Sequence, residues 1–445
     1  MALDILFQVL LGSPFEIKNG VLIKYSEAVG KTEAVIPPDV REIAAYAFSG
    51  CKHLTKIVIP ASVQRIGDGA FSNCESLTEI TVPEGVTEIG EGTFWHCRGL
   101  QTVRIPDSVR KIGKDAFLGC ACLTAVHIPD GVTEIGAKTF YDCTALTKIV
   151  LPETVTAIGH DAFSCCKNLT ALNVPDRVQA IGKGAFERCE KLTAVHIPDG
   201  VTAIGKDTFY DCRALSGIRI PDSVTEIGDY AFGGCSSLTV LNVPDSVKTI
   251  GKSAFSDCEN LRALALPQGL KQLAASALYN CCRLTELTIP ESIESIGEKA
   301  LTRCDSLRVI RLRPGDPAIR RDYNKLERPE EQIMELLDML RTASYRNGIR
   351  PYFRHPMMAL HYLHTHDEAL LECILEEEDF LDPFIPDGAE WLVGLLAQSG
   401  RYFTAENLER YLAAAQEANQ SGTVMILLNY KNRHFGSPKP QIYRL

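Results

Sequence analysis

Twelve prolines, Pro37, Pro60, Pro83, Pro106, Pro129, Pro152, Pro175, Pro198, Pro221, Pro244, Pro267 and Pro290, stand 23 residues apart with no insertion or deletion between them. A cysteine follows each of them fourteen residues later, from Cys51 to Cys304. A chain punctuated in this way does not wind round one central core. A fixed period between about 20 and 50 residues belongs to solenoids, whose units bury their apolar faces only against their neighbours. Recognition is then to be sought on a lateral surface.

Written from the proline as position 1, the unit reads P-D-x-V-x-x-I-G-x-x-A-F-x-x-C-x-x-L-T-x-[IVL]-x-[IV], and it runs from Val35 to Leu312. Around Leu77 the alternation turns Leu77, Ile80 and Val82 inward and Glu79 and Thr81 outward, which predicts a short strand. Proline ends that strand and opens a turn. Val86 to Gly90 reads as a second extended piece. The glycine is expected to let the chain bend there, before Thr93 to Cys97 forms a turn or a single helical turn. The repeated phenylalanines, from Phe48 to Phe255, are expected to stack as a spine. The repeated cysteines read as free thiols, small buried hydrophobes in a ladder.

The phrase A-F-x-x-C-x-x-L-x-x-I-x-I-P resembles the leucine-rich repeat class of treponemal and BspA-like bacterial proteins, over some 280 residues. The resemblance implies a curved, parallel-stranded solenoid with a strand-lined concave face. It implies no particular ligand, because the class spans adhesins, host-interaction proteins and others. A second period overlies the first: Thr124 to Thr133 returns as Thr193 to Thr202, three units later. Leu278, Leu301 and Ala274 loosen the pattern towards the end, as terminal repeats do.

Outside the array, Phe15 to Tyr25 reads as a hairpin on an Asn19-Gly20 turn, a cap for the first coil. Beyond Arg313 to Pro317 the periodicity becomes helical, with apolar stripes after Pro329 and in Met357 to Leu375, Ala389 to Leu396, Leu408 to Ala415 and Val424 to Tyr430. The last of these loosely resembles the closing helix of ankyrin-like repeats. The expected organisation is a cap at 1–36, a leucine-rich repeat β-solenoid at 37–312, a linker at 313–329 and a small all-α domain at 330–445.

The formal net charge of -10 argues against nucleic acid or anionic membrane as a partner. No apolar run predicts a membrane span. Met1 to Leu11 is apolar but carries Asp4 and no basic leader, so a secretory signal is not expected. With Cys122, Cys165, Cys282 and Cys373 added to the ladder, the cysteines fit a reducing or anoxic compartment, and the cytoplasm is the expected location, with the cell surface or secretion as the alternative. No phosphate loop, H-E-x-x-H, G-x-S-x-G or C-x-x-C motif is present. Glu88 and Glu91 read as solvated turn residues. His361, His364 and His366, near Glu368 and Cys373, could hold a metal only weakly, since His366 leaves the shared helix face. No enzyme, cofactor or metal is expected.

The exposed strand position two residues before each proline carries more information. In the middle coils it holds Arg104, His127, Asn173, His196, Arg219 and Asn242, flanked by small residues such as Ala125, Ala171, Ala194 and Gly217. Small neighbours let a partner approach, and long polar side chains at fixed spacing can hydrogen-bond to it. These six residues are the expected contact row for a protein or an extended polymer. An adhesive or structural role, and a weak metal-dependent activity in the helical region, are the alternatives.

Overall fold

The computed structural model describes residues 13–27, 30–311, 319–320 and 390–435, with scattered positions between 330 and 385. Met1 to Leu11, the segment Arg313 to Pro317 and the histidines at 361, 364 and 366 lie outside the described residues. The chain divides into two compact units, Met1–Thr285 with Ser292–Leu307, and Glu286–Glu291 with Arg308–Leu445.

Each coil of the first unit has three sides. One, in all of these coils but the one that begins at Pro198, is a strand of two or three residues at positions 20 to 22, as in Glu79–Thr81 and Thr102–Arg104. The second is a two-residue strand at positions 6 and 7, as in Glu88–Ile89. The third is a run of turns from position 9 to position 17. Strands of successive coils pair in parallel and in register, Lys148 on Ala125 and Val150 on His127. The proline carbonyl accepts the amide three residues on, Val86 N–H to Pro83 O at 3.0 Å, which closes the turn between the two strands. Side chains alternate as the sequence predicts, with Ile80 buried between exposed Glu79 and Thr81. The third side has its own ladder, in which Asp115, Phe117 and Gly119 donate to the carbonyls of Ala137, Thr139 and Tyr141 at 2.8 to 3.0 Å.

The core follows the repeat. The rings from Phe48 to Phe255 stack in one column with centroids 5.3 to 5.8 Å apart. Burying each such ring contributes about 1.5–3 kcal/mol relative to exposure. Behind them the thiols are buried, and each from Cys74 onward donates to the carbonyl of the coil before. Burial pushes the Cys51 and Cys258 thiols up to about 12.

Strands β1 (Phe15–Lys18) and β2 (Val21–Tyr25) form the expected hairpin, with Asn19 and Gly20 both at positive φ as a type I′ turn requires. Strand β2 pairs with Glu42–Ile43 of the first coil, and Tyr25 continues the aromatic column at 5.0 Å from Phe48. The open end of the array is thereby covered in hydrogen bonds and in apolar contact.

Two local expectations need correction. The glycine at position 8 is not needed for a bend, since Gly113, Gly159, Gly182 and Gly251 lie outside the left-handed region. The cause is proximity: a Cβ on Gly182 would stand 2.3 Å from the amide nitrogen of His160 in the previous coil, and one on Gly159 2.5 Å from that of Ala137. Positions 10 and 14, written only as variable in the unit, are left-handed in every coil, whether they carry Gly69 and Gly92 or Asp115, Lys138, Arg188 and Asp211. Asp, Asn and Gly bear that conformation at least cost. Glu88 lies on a strand rather than in a turn, and both it and Glu91 pair with the next coil, at Lys111 and Lys114.

In the second unit Glu286–Thr288 pairs in parallel with Val309–Arg311, and Ile319–Arg320 closes that edge antiparallel. Beyond residue 389 the described residues form three helices, α1 (Glu390–Ser399), α2 (Ala405–Glu417) and α3 (Ser421–His434). Thr404 and Asn407 form a capping box that starts α2, Thr404 Oγ1 accepting from the Asn407 amide at 3.2 Å. Leu392, Leu396, Leu408, Tyr411 and Leu427 bury a shared core around Phe380 and Phe384. The phenols of Tyr402 and Tyr411 meet there at 3.1 Å, and the Leu381 amide donates to Tyr402. Burial raises the pKa of both phenols.

Candidate interaction face

All six residues of the expected row, Arg104, His127, Asn173, His196, Arg219 and Asn242, are exposed on the side formed by positions 20 to 22. The buried residue between the two exposed positions of each strand fixes this, as Val126 does between Ala125 and His127. Register places Arg104 beside Thr81, His127 beside Val150 and Asn242 beside Ala265.

The row is not carried on one unbroken sheet. Arg104 ends a four-stranded block that begins at Glu33, His127 opens a second block that ends at Val195, and Asn242 opens a third. Arg219 lies between the second and third, in a coil with no strand on this side. Gly217 accounts for that gap. Without a side chain it has the greatest backbone freedom and nothing to pack, its Cβ position is open to 4 Å, and Ile218 beside it is only half-buried.

The side chains also meet partners that the sequence reading missed. Arg219 Nη1 stands 3.0 Å from Asp199, His196 Nε2 3.1 Å from Asp176 and His127 Nε2 3.9 Å from Asp107. Each aspartate is the residue after a repeat proline, twenty positions before its partner. The signal was the D of the P-D-x-V phrase: the strand that ends a coil stands beside the proline turn that opens the same coil. Exposed pairs of this kind contribute about 0–1 kcal/mol, so an incoming group can replace them at little cost.

Among the described residues no group of His, Cys, Asp and Glu is placed to hold a metal, and no helix is long and apolar enough to cross a membrane. On this side of the array the described residues offer a face lined by side chains.

The model of the BspA type leucine rich repeat region (six copies) matches residues 26–143, 110–239 and 225–321. The chain belongs to the BspA-type leucine-rich repeat family. Among solved structures, this BspA-type chain is similar to a leucine-rich repeat protein of Bacteroides ovatus, with 28% identity over 66% of this chain and 91% of that one and a TM-score of 0.48. It is also similar to a leucine rich cell surface protein of Faecalibacterium prausnitzii, with 28% identity, 67% and 92% coverage and a TM-score of 0.47. No curated protein matches the chain.

Proposed function

We propose that this BspA-type protein is a non-catalytic binding module that holds another macromolecule against the face formed by positions 20 to 22. The row from Arg104 to Asn242 supplies the polar contacts. The observation that carries the reading is the exposure of all six side chains on one side of a scaffold whose rigidity is built in by buried rings and thiols. A preorganised face loses little entropy on binding. The family is generally one of protein-interaction or surface repeat proteins without catalysis, which agrees with this reading.

The test is the triple substitution Asn173→Ala, His196→Ala and Arg219→Ala in the full chain. Capture of a partner from native lysate is expected to fall while the melting temperature stays within a few degrees of the parent. Undiminished capture would move the contact to another surface. In the same reading the protein works where thiols stay reduced, supported by free Cys122, Cys165 and Cys282 outside the core. Cell fractionation decides between that location and the cell surface.

A further inference from the structure

Two features of this face lie beside the polar row. The first is a strip of small and apolar residues at position 20, Ala171, Ala194, Gly217, Val240 and Ala263, bounded by exposed Lys148, with Val150 at position 22 adjoining, Val150 exposed at 63% and Val240 at 60%. The second is a line of carboxylates at position 2, one in each of eight successive coils from Glu84 to Asp245, all exposed, Asp176 at 90%. His127, His196 and Arg219 lean onto this line, which leaves the apolar strip uncovered. Among the described residues, Asp130, Glu153 and Asp222 have no ion-pair partner.

Neighbouring coils stand about 4.8 Å apart, so the eight carboxylates extend over about 34 Å. Like charges at that spacing repel one another, and a cationic partner relieves the repulsion. Within each strand block the amides are already engaged between coils, as from Lys148–Val150 to Ala125–His127, so over those blocks the face offers side chains. A polypeptide lying along it must arrive with its own amides paired, which a helix achieves and an extended strand does not. The pitch of an α-helix, about 5.4 Å, nearly matches the coil spacing, and about 22 residues of helix span the line. Small side chains in the strip let the helix approach closely.

Resting on the reading of this face as a binding surface, we infer that its partner is an amphipathic helix with a narrow apolar stripe bordered by Lys and Arg. The apolar stripe seats on Ala171, Ala194 and Val240, and the cations take the carboxylate line.

The test uses fluorescence anisotropy on the full chain with two synthetic helical peptides of about 22 residues. Both carry the same Ala/Leu stripe, bordered by Lys in one and by Glu in the other. The Lys peptide is expected to bind at least about tenfold more tightly, and its affinity to fall as salt rises from about 50 to about 300 mM. Asp130→Asn, Glu153→Gln and Asp222→Asn together, and separately Val150→Ser with Val240→Ser, should each weaken it by about tenfold. Equal binding of the two peptides overturns the inference. So does a Lys peptide indifferent to both sets of substitutions, which would reveal attraction to the overall negative charge alone. If neither peptide binds while the Asn173, His196 and Arg219 variant loses native capture, the helix is wrong and the face stands; if that variant keeps its capture, the face itself is wrong.

Discussion

The thiol of Cys74 donates to the carbonyl oxygen of Phe48 at 3.3 Å, and the same oxygen accepts the amide of Cys51 at 3.1 Å. One carbonyl thus joins two coils, and the arrangement recurs down the array to Cys304 on Leu278. The cysteine is more than a small filler. It is a buried donor whose proton holds the next coil in place.

That proton makes the array sensitive to alkali. Burial raises the folded-state pKa of the Cys51, Cys143, Cys166 and Cys258 thiols, so these stay protonated where an unfolded chain, with thiols near the ordinary value, has begun to lose its protons. The stabilisation is complete below the unfolded value and is lost as pH rises from about 9 towards 12, at about 1.4 kcal/mol per pH unit for each thiol. Thermal unfolding at pH 8 and pH 10 should show a large drop in melting temperature, and a flat profile would contradict the buried, protonated ladder.

Phe163→Ala, in the middle of the aromatic column, should cost about 3–5 kcal/mol in urea unfolding. Phe163→Leu should cost much less, about 1 kcal/mol, because Leu278 and Leu301 fill the same position in a buried state near the end of the array.

Gly182→Ala should destabilise by about 3 kcal/mol, because the new methyl meets the backbone of His160. Gly217→Ala meets nothing within 4 Å and should raise stability by about 0.5–1 kcal/mol through the unfolded chain. Paired melting curves check both signs, and equal effects would show that proximity is not what selects glycine at position 8.

Lys138→Asn should stabilise by about 0.5–1 kcal/mol, since Lys138 is held at a φ of 53°, a conformation that asparagine adopts more readily. A lower melting temperature would speak against the left-handed turn.

Much of the fold was legible because spacing and burial coincide: the proline turn, the inward Ile80, the stacked phenylalanines and the Asn19-Gly20 hairpin each followed from residue types at fixed distances. Legibility ended where the cause lay in another coil. Gly182 looks like a bend until the backbone of His160 is seen against it. Lys138 and Arg188 hide a left-handed position that Gly, Asn or Asp marks in some of the other coils, while Tyr46, His96 and Ser253 hide it again. For the candidate face, exposure of the row from Arg104 to Asn242 was readable from alternation alone. The pairing of Arg219 with Asp199 was not, since it depends on how the end of a coil meets the proline turn that opens it, and the missing strand at Gly217 was not, since it shows only against the paired strands of the other coils.

Because every coil is closed by the same proline turn and locked to its neighbour by the same thiol, 23 residues are the smallest quantity by which this chain can be edited without a seam. A one-residue slip would send every later thiol to the wrong carbonyl, whereas a whole unit can be spliced in or cut out and the flanking halves rejoin. Reach is therefore a variable that selection can set in steps of a single coil, independently of chemistry.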